Sequence, residues 1–295
     1  MSTRIKVLLA GLAFLGVAVA LFGIFGSEGR NDEFEPTAEF RLEPWIDLGV
    51  FSINKAVMYL FIAAGLTVGT MLYIANRMQA KPNRVQTAVE TVFLFMRDTI
   101  TRGNMDDRTA RTWFPFVGTL FLFIWFSNMI GYLPLPTNTE HPIDVFGIDV
   151  PAFSLYAATA NISVPLVLTL VVWFSYHVVG IRRQGVVKYF KSWVPAGVQG
   201  FAAGPIFVIE VISHFVRIIS LSVRLFANIL AGHLLILFMG GGLAVILGLA
   251  SIGWITLPAA FAFFVFEVGL VASLQAFIFA TLTAIYLGGA VAEHH

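Results

Sequence analysis

The sequence predicts an all-α polytopic membrane protein. About six membrane-embedded helices are expected, the last two forming a long, strongly tilted antiparallel hairpin, with one amphipathic helix on the membrane surface. Three observations lead there. Hydrophobic residues make up 58% of the 295-residue chain and charged residues only 12%, and the mean hydropathy is +0.85, far from the average of soluble domains. Apolar runs long enough to cross a bilayer follow one another with no polar block large enough for a separate soluble domain. The basic residues are concentrated in alternate loops, the pattern that orients membrane helices.

The apolar spans fall at about 7–25, 56–76, 114–133 and 161–180, then at about 205–239 and 258–290. The first follows Arg4 and Lys6 and contains "AVA" at 18–20, so it reads either as a cleaved signal peptide or as a retained span; its length favours a retained helix. Residues 1–26 are therefore set apart as an N-terminal span or signal-like segment, and 27–295 form one membrane domain. Lys and Arg gather at 77–111 and 182–191, whereas Glu28 to Asp47 and Glu140 to Asp149 make the opposite loops acidic. The basic segments are cytoplasmic on this count, and six crossings place both termini inside. Between the second and third spans, "VQTAVETVFLFMRDTI" mixes apolar residues with Glu90, Arg97 and Asp98, as an interfacial helix does. Pro134 and Pro136 end the third span.

The last two spans carry the anomaly. Pro205 and the glycine run starting at Gly240 are 35 residues apart, about 52 Å of helix against a hydrocarbon core of about 30 Å. The partner restarts at Pro258 and has similar length, so a tilted antiparallel pair is expected. Glu210, Arg217 and Arg224 recur every seven residues, which leaves them on one stripe drifting about 20° per step. Ser213 and Asn228 lie close to that stripe, and His233 comes out about half a turn away. By counting from the helix ends, Gln275 lies at the depth of Arg224 and Glu267 at the depth of His233.

A charge at mid-membrane costs at least about 2.5–3.5 kcal/mol on insertion scales. Arg224 is too far from either end of its helix to snorkel. One explanation is an internal salt bridge with Glu210 or Glu267; the functional one is a carboxylate supplied by another chain. Arginine suits the second because it does not release its proton, so it holds a carboxylic acid ionised without carrying protons itself.

"SLSVRLFANILAGH" with "SLQAFIFATLTAIYL" resembles subunit a of the F-type ATP synthase, the stator subunit of its membrane Fo sector. The resemblance runs from about Trp45 to the C-terminus and includes "FPFVGTLFLFIWFSNMIGYLP" and "TANIS". It implies a non-catalytic proton-channel subunit: two offset half-channels beside a rotating c-ring, with Arg224 as the essential arginine between them. Matching positions put Glu210 and Ser213 on the cytoplasmic half-channel and Asn228, His233, Glu267 and Gln275 on the outer one. The implied partners are the ring of subunit c, the subunit b peripheral stalk, other F1Fo subunits, lipid and protons, in a bacterial cytoplasmic (inner) membrane. His and Glu in the outer path favour protons over sodium. Two departures stand out: Glu267 and Gln275 are eight residues apart, one more than the family pattern, and Asn161 replaces a common aspartate.

Other features read blandly. Asn128 and Asn161 are expected to link helices, His177 to be interfacial rather than catalytic, and His214 to serve helix packing rather than the inner channel; Arg217 is divided between ring contact and the inner channel mouth. The histidine spacing gives no metal-ligand pattern, no cofactor is implied, and the chain has no cysteine. A net charge of +1 argues against a nucleic-acid surface. No G-x-x-x-x-G-K-[ST] loop is present, so nucleotide chemistry belongs on other subunits. A self-contained transporter would be expected to show repeats and broken helices at mid-membrane; no repeat is apparent. A plain anchor leaves the polar stripe unexplained.

Overall fold

The computed structural model describes residue 42 and residues 44–47, 52–79, 81–145, 148–194, 198, 202–243 and 252–291. The expected span at 7–25 lies outside the described residues. In chain order the elements are β1 (Pro44–Asp47), β2 (Ser52–Asn54), α1 (Lys55–Asn76) and α2 (Arg84–Leu94), which continues as a π-helix over Phe95–Arg102. Then come α3 (Asp107–Gly131), β3 (Leu135–Val145), β4 (Ile148–Ser154), α4 (Ser163–Gln184) and α5 (Val186–Lys191). Helix α6 (Ala203–Leu237) runs into a π-turn at Phe238–Gly242, and α7 (Gly253–Phe266) runs through a π-turn at Glu267–Val271 into α8 (Ala272–Val291).

The chain is an all-α polytopic membrane protein. Five helical runs among the described residues are long and apolar enough to cross a membrane: α1, α3, α4, the 40 residues Ala203–Gly242 and the 39 residues Gly253–Val291. The last two are about 60 Å long at 1.5 Å per residue, twice the hydrocarbon thickness, so a bilayer holds them only tilted or bent. The strands form two small antiparallel hairpins, β1 with β2 and β3 with β4. The second occupies the acidic loop after the third span, a stretch without the alternation that marks a strand.

Contacts divide the described residues into two compact units, a larger one of those up to 231 together with 267–291 and a smaller one of 232–243 with 252–266. In the larger unit α8 packs on α3 and α4, and α1 packs on α3. The contact face of α8 is Ala276, Phe279, Ala280, Thr283, Ala284 and Leu287, each at most 1% exposed. Its spacing follows the helical repeat, and its small side chains allow the close approach by which membrane helices pack. Leu221, Leu225 and Ile229 of α6 join the same core. Gly131 closes α3 against the next loop: a Cβ there would lie 2.7 Å from the Ala157 Cα. Gly185, with φ of 82°, makes the break between α4 and α5 that a side chain would strain.

A helix forms where the amphipathic one was expected. The Asn83 side chain caps α2 by accepting the Gln86 N–H at 2.8 Å, and its π-helical continuation turns Met96 and Ile100 into the core while Arg97 and Asp98 pair at 2.9 Å. Helix α3 starts at Asp107, before the apolar run, because the Asp106 carboxylate accepts the Thr109 N–H at 3.1 Å.

In the smaller unit the π-turn at the end of α6 packs on α7, and the chain leaves helical geometry at Gly241. Helix α7 begins at Gly253 and contains Pro258, so depths counted from Pro258 start five residues late (258 minus 253). Pro258 deprives only the Trp254 carbonyl of its amide donor, and the helix continues through it. Residues 244–251, between the last two spans, lie outside the described residues.

Candidate functional site

Helix α6 has two faces. Leu221, Ser222, Leu225 and Ile229 are buried, whereas Ile209, Ile212, Val216, Ile219 and Val223 are 40–62% exposed, an apolar stripe at alternating intervals of three and four. Arg224 and Asn228 are exposed along the edge of this stripe. No carboxylate lies within salt-bridge distance of Arg224 among the described residues, so the internal salt bridge with Glu210 or Glu267 does not form. A charge on an exposed membrane helix face calls for a partner or water.

At the other end of the stripe the polar residues meet. Arg217 Nη2 lies 3.4 Å from Glu210 Oε1, and His214 Nε2 lies 3.6 Å from the same oxygen. The Arg217 guanidinium also sits over the Tyr286 ring at 5.0 Å. Arg217 is therefore the counter-charge of Glu210. Both side chains remain about one-third exposed on a cleft of about 800 Å³ that Lys188, Lys191 and His214 also line. Ser213 Oγ donates to its own helix at the Ile209 carbonyl, 2.9 Å away, and keeps its lone pairs for other donors.

His214 packs against the neighbouring helices. Its Nδ1 shares a hydrogen bond with Tyr176 Oη at 2.9 Å, its carbonyl accepts from Trp173 Nε1 at 3.2 Å, and its ring lies 4.8 Å from that of His177. His177 is buried, with Nδ1 2.6 Å from Tyr189 Oη. The spacing in sequence gave no sign of this cluster, because its members come from α4, α5 and α6.

A second polar cluster joins α3 to the start of α8. Trp125 Nε1 donates to Ser273 Oγ at 3.1 Å, Asn128 Nδ2 to the Ala272 carbonyl at 3.3 Å, and Tyr132 Oη to Glu267 Oε2 at 3.1 Å. The donors follow helical spacing on α3. Thr159 Oγ1 donates to Asn128 Oδ1 at 2.7 Å, so Asn128 is the packing amide expected. Asn161 instead accepts the Ser163 N–H at 3.0 Å and caps the approach to α4. Tyr132 is the functional candidate that sequence reasoning missed; its signal was its place four residues after Asn128.

Glu267 and Gln275 are both buried, at 7% and 5% exposure. In a regular α-helix eight residues turn a side chain about 80° past a full repeat. The π-turn at Glu267–Val271 absorbs one extra residue, so the eight-residue interval behaves as the family's seven and both side chains return to the interior. His233, on the smaller unit, is also buried. No three-residue His/Asp/Glu cluster suited to a metal occurs among the described residues.

The fold and these side chains define a class: a polytopic membrane protein that keeps ionisable groups inside its spans. Residues 57–288 match the family described as ATP synthase A chain, and the chain belongs to that family. It is similar to ATP synthase subunit a of Bradyrhizobium diazoefficiens, 32% identical over 275 residues that cover 89% of this chain and 100% of that protein. Subunit a of Rubrobacter xylanophilus is 35% identical over 241 residues, 80% of this chain and 83% of the relative. Subunit a of Helicobacter pylori is 36% identical over 243 residues, 82% of this chain and 88% of the relative.

Proposed function

We propose that the chain is the proton-translocating stator subunit of an F-type ATP synthase, with residues 27–295 as its Fo domain. It offers two offset half-channels and Arg224 beside a rotating ring of subunit c, and the catalytic chemistry belongs to other subunits. The observation that carries this reading is Arg224 itself: an arginine on the exposed face of a membrane helix, without a carboxylate of its own chain among the described residues. A ring carboxylate passing the apolar stripe supplies the missing charge, and the fixed positive charge holds that carboxylate ionised and blocks direct leakage between the half-channels.

In this reading Glu210 and Ser213, with Arg217 at the mouth, serve the cytoplasmic half-channel. The open cleft beside Glu210 supports it, since a proton leaving the ring there meets a carboxylate in contact with water. Asn228, His233, Glu267 and Gln275 serve the outer half-channel, with Tyr132 holding the Glu267 carboxyl. The basic segments face the bacterial cytoplasm, and the two termini do so too where 7–25 is retained. The subunit b stalk and the other F1Fo subunits complete the assembly.

Purification in mild detergent tests the reading: co-isolation with a c-ring supports it, and autonomous ion flux from the lone chain contradicts it in favour of a transporter. ATP-driven acidification of inverted vesicles with and without sodium identifies the ion. Sodium-independent acidification is expected.

A further inference from the structure

A groove of about 580 Å³ runs between the start of α3 and the end of α4, remote in sequence from the polar stripe. Arg108, Arg182 and Arg183 line one part of it, and Trp113, Phe174 and Val178 line another. Phe174 and Val178 are 56% and 42% exposed, so the groove opens sideways along the membrane spans. We propose that this groove is a binding site for an anionic phospholipid of the phosphatidylglycerol or cardiolipin class, with the phosphodiester among the arginines and an acyl chain along Trp113, Phe174 and Val178.

The charges support this choice of occupant. Arg182 and Arg183 sit in the last turn of α4, where a cation suits the helix dipole, but Arg108 sits at the start of α3, where a cation opposes it. The nearby carboxylates stay beyond ion-pair distance of these arginines: Asp106, though within electrostatic reach of Arg183, accepts the Thr109 N–H, and Asp107 lies 3.6 Å from Arg102 Nε. Among the described residues no carboxylate pairs with Arg108, Arg182 or Arg183. Thr109 Oγ1 accepts from Arg183 Nη1 at 3.5 Å and holds that guanidinium at the rim. Three guanidiniums over an apolar wall between spanning helices match an acidic headgroup with its chains, the kind of basic interhelical pocket that retains acidic lipid. A tryptophan on the apolar wall of an arginine-lined groove fits the headgroup level.

The site rests only on the chain spanning a membrane, not on the proposed proton path. The test uses the purified complex in detergent with photoreactive phosphatidylglycerol, and crosslinked peptides are mapped. Labelling is expected within 108–113 and 174–183, displaced by unlabelled phosphatidylglycerol but by neither phosphatidylcholine nor inorganic phosphate. Replacing all three arginines (R108Q, R182Q and R183Q together) should lower labelling roughly tenfold or more. Val178→Trp, which fills the apolar part and keeps the charges, should lower it too and decides the matter if the triple variant does not assemble. Equal displacement by phosphatidylcholine, displacement by phosphate alone, no labelling, or labelling unchanged by Val178→Trp would overturn the proposal. Because the readout is lipid attachment, a failed proton-path assignment would appear separately, as pumping that survives loss of Arg224.

Discussion

Glu210 shares one oxygen between Arg217 and His214 at the edge of an open cleft, so it is both paired and wet. A neutral amide there keeps the shape and removes the proposed proton site. Glu210→Gln is expected to slow ATP-driven pumping several-fold while the complex still assembles, as read by acidification of inverted vesicles over a range of pH. Turnover unchanged across that range would make Glu210 a packing residue. In the proposed outer half-channel, His233→Ala and Glu267→Ala should each impair proton-driven synthesis, and the exchange of His233→Glu with Glu267→His should restore more activity than either half alone. Strictly additive losses would mean that the two act separately. Arg224 and Glu210 were legible in the sequence because charge is rare in an apolar run. Tyr132, Tyr176 and His177 were not, because their partners lie on other helices.

At the scale of elements, the Asp106 cap and the π-turn beside Glu267 make separate predictions. Thr109 donates its hydroxyl and its N–H to Asp106, and these bonds hold the carboxyl below its usual range. A depressed carboxyl contributes stability above its ordinary pKa of about 4 and loses it as the pH falls through the folded value. Asp106→Ala should cost about 1 kcal/mol, read as earlier thermal unfolding of the complex at neutral pH, and Asp106→Asn should keep the cap without the acid sensitivity. The π-turn predicts an asymmetry. Deleting Gly269 should leave the complex assembled, because seven residues in an α-helix keep Glu267 and Gln275 on one stripe, whereas inserting an alanine beside it should not. Assembly lost on deletion would contradict this account of the turn. The spanning helices were legible from apolar length. The β3–β4 hairpin was not, because its acidic, proline-containing sequence lacks the alternation that marks a strand. The π-turn left only a trace, the unexpected interval of eight.

At the scale of the molecule, two helical runs far longer than a bilayer is thick are costly to hold unless something lies along them. In the proposed reading the exposed apolar stripe of α6, with Arg224 at its edge, is the face that meets the c-ring. In an intact complex the account therefore turns on one side chain, and Arg224→Ala tests it most directly. Assembly is checked by co-isolation with the c-ring, and ATP-driven acidification is then measured in inverted vesicles alongside proton-driven ATP synthesis. The account predicts an assembled complex in which both activities are abolished, with Arg224→Lys failing as well. An assembled Arg224→Ala complex that pumps at a near-normal rate would contradict it.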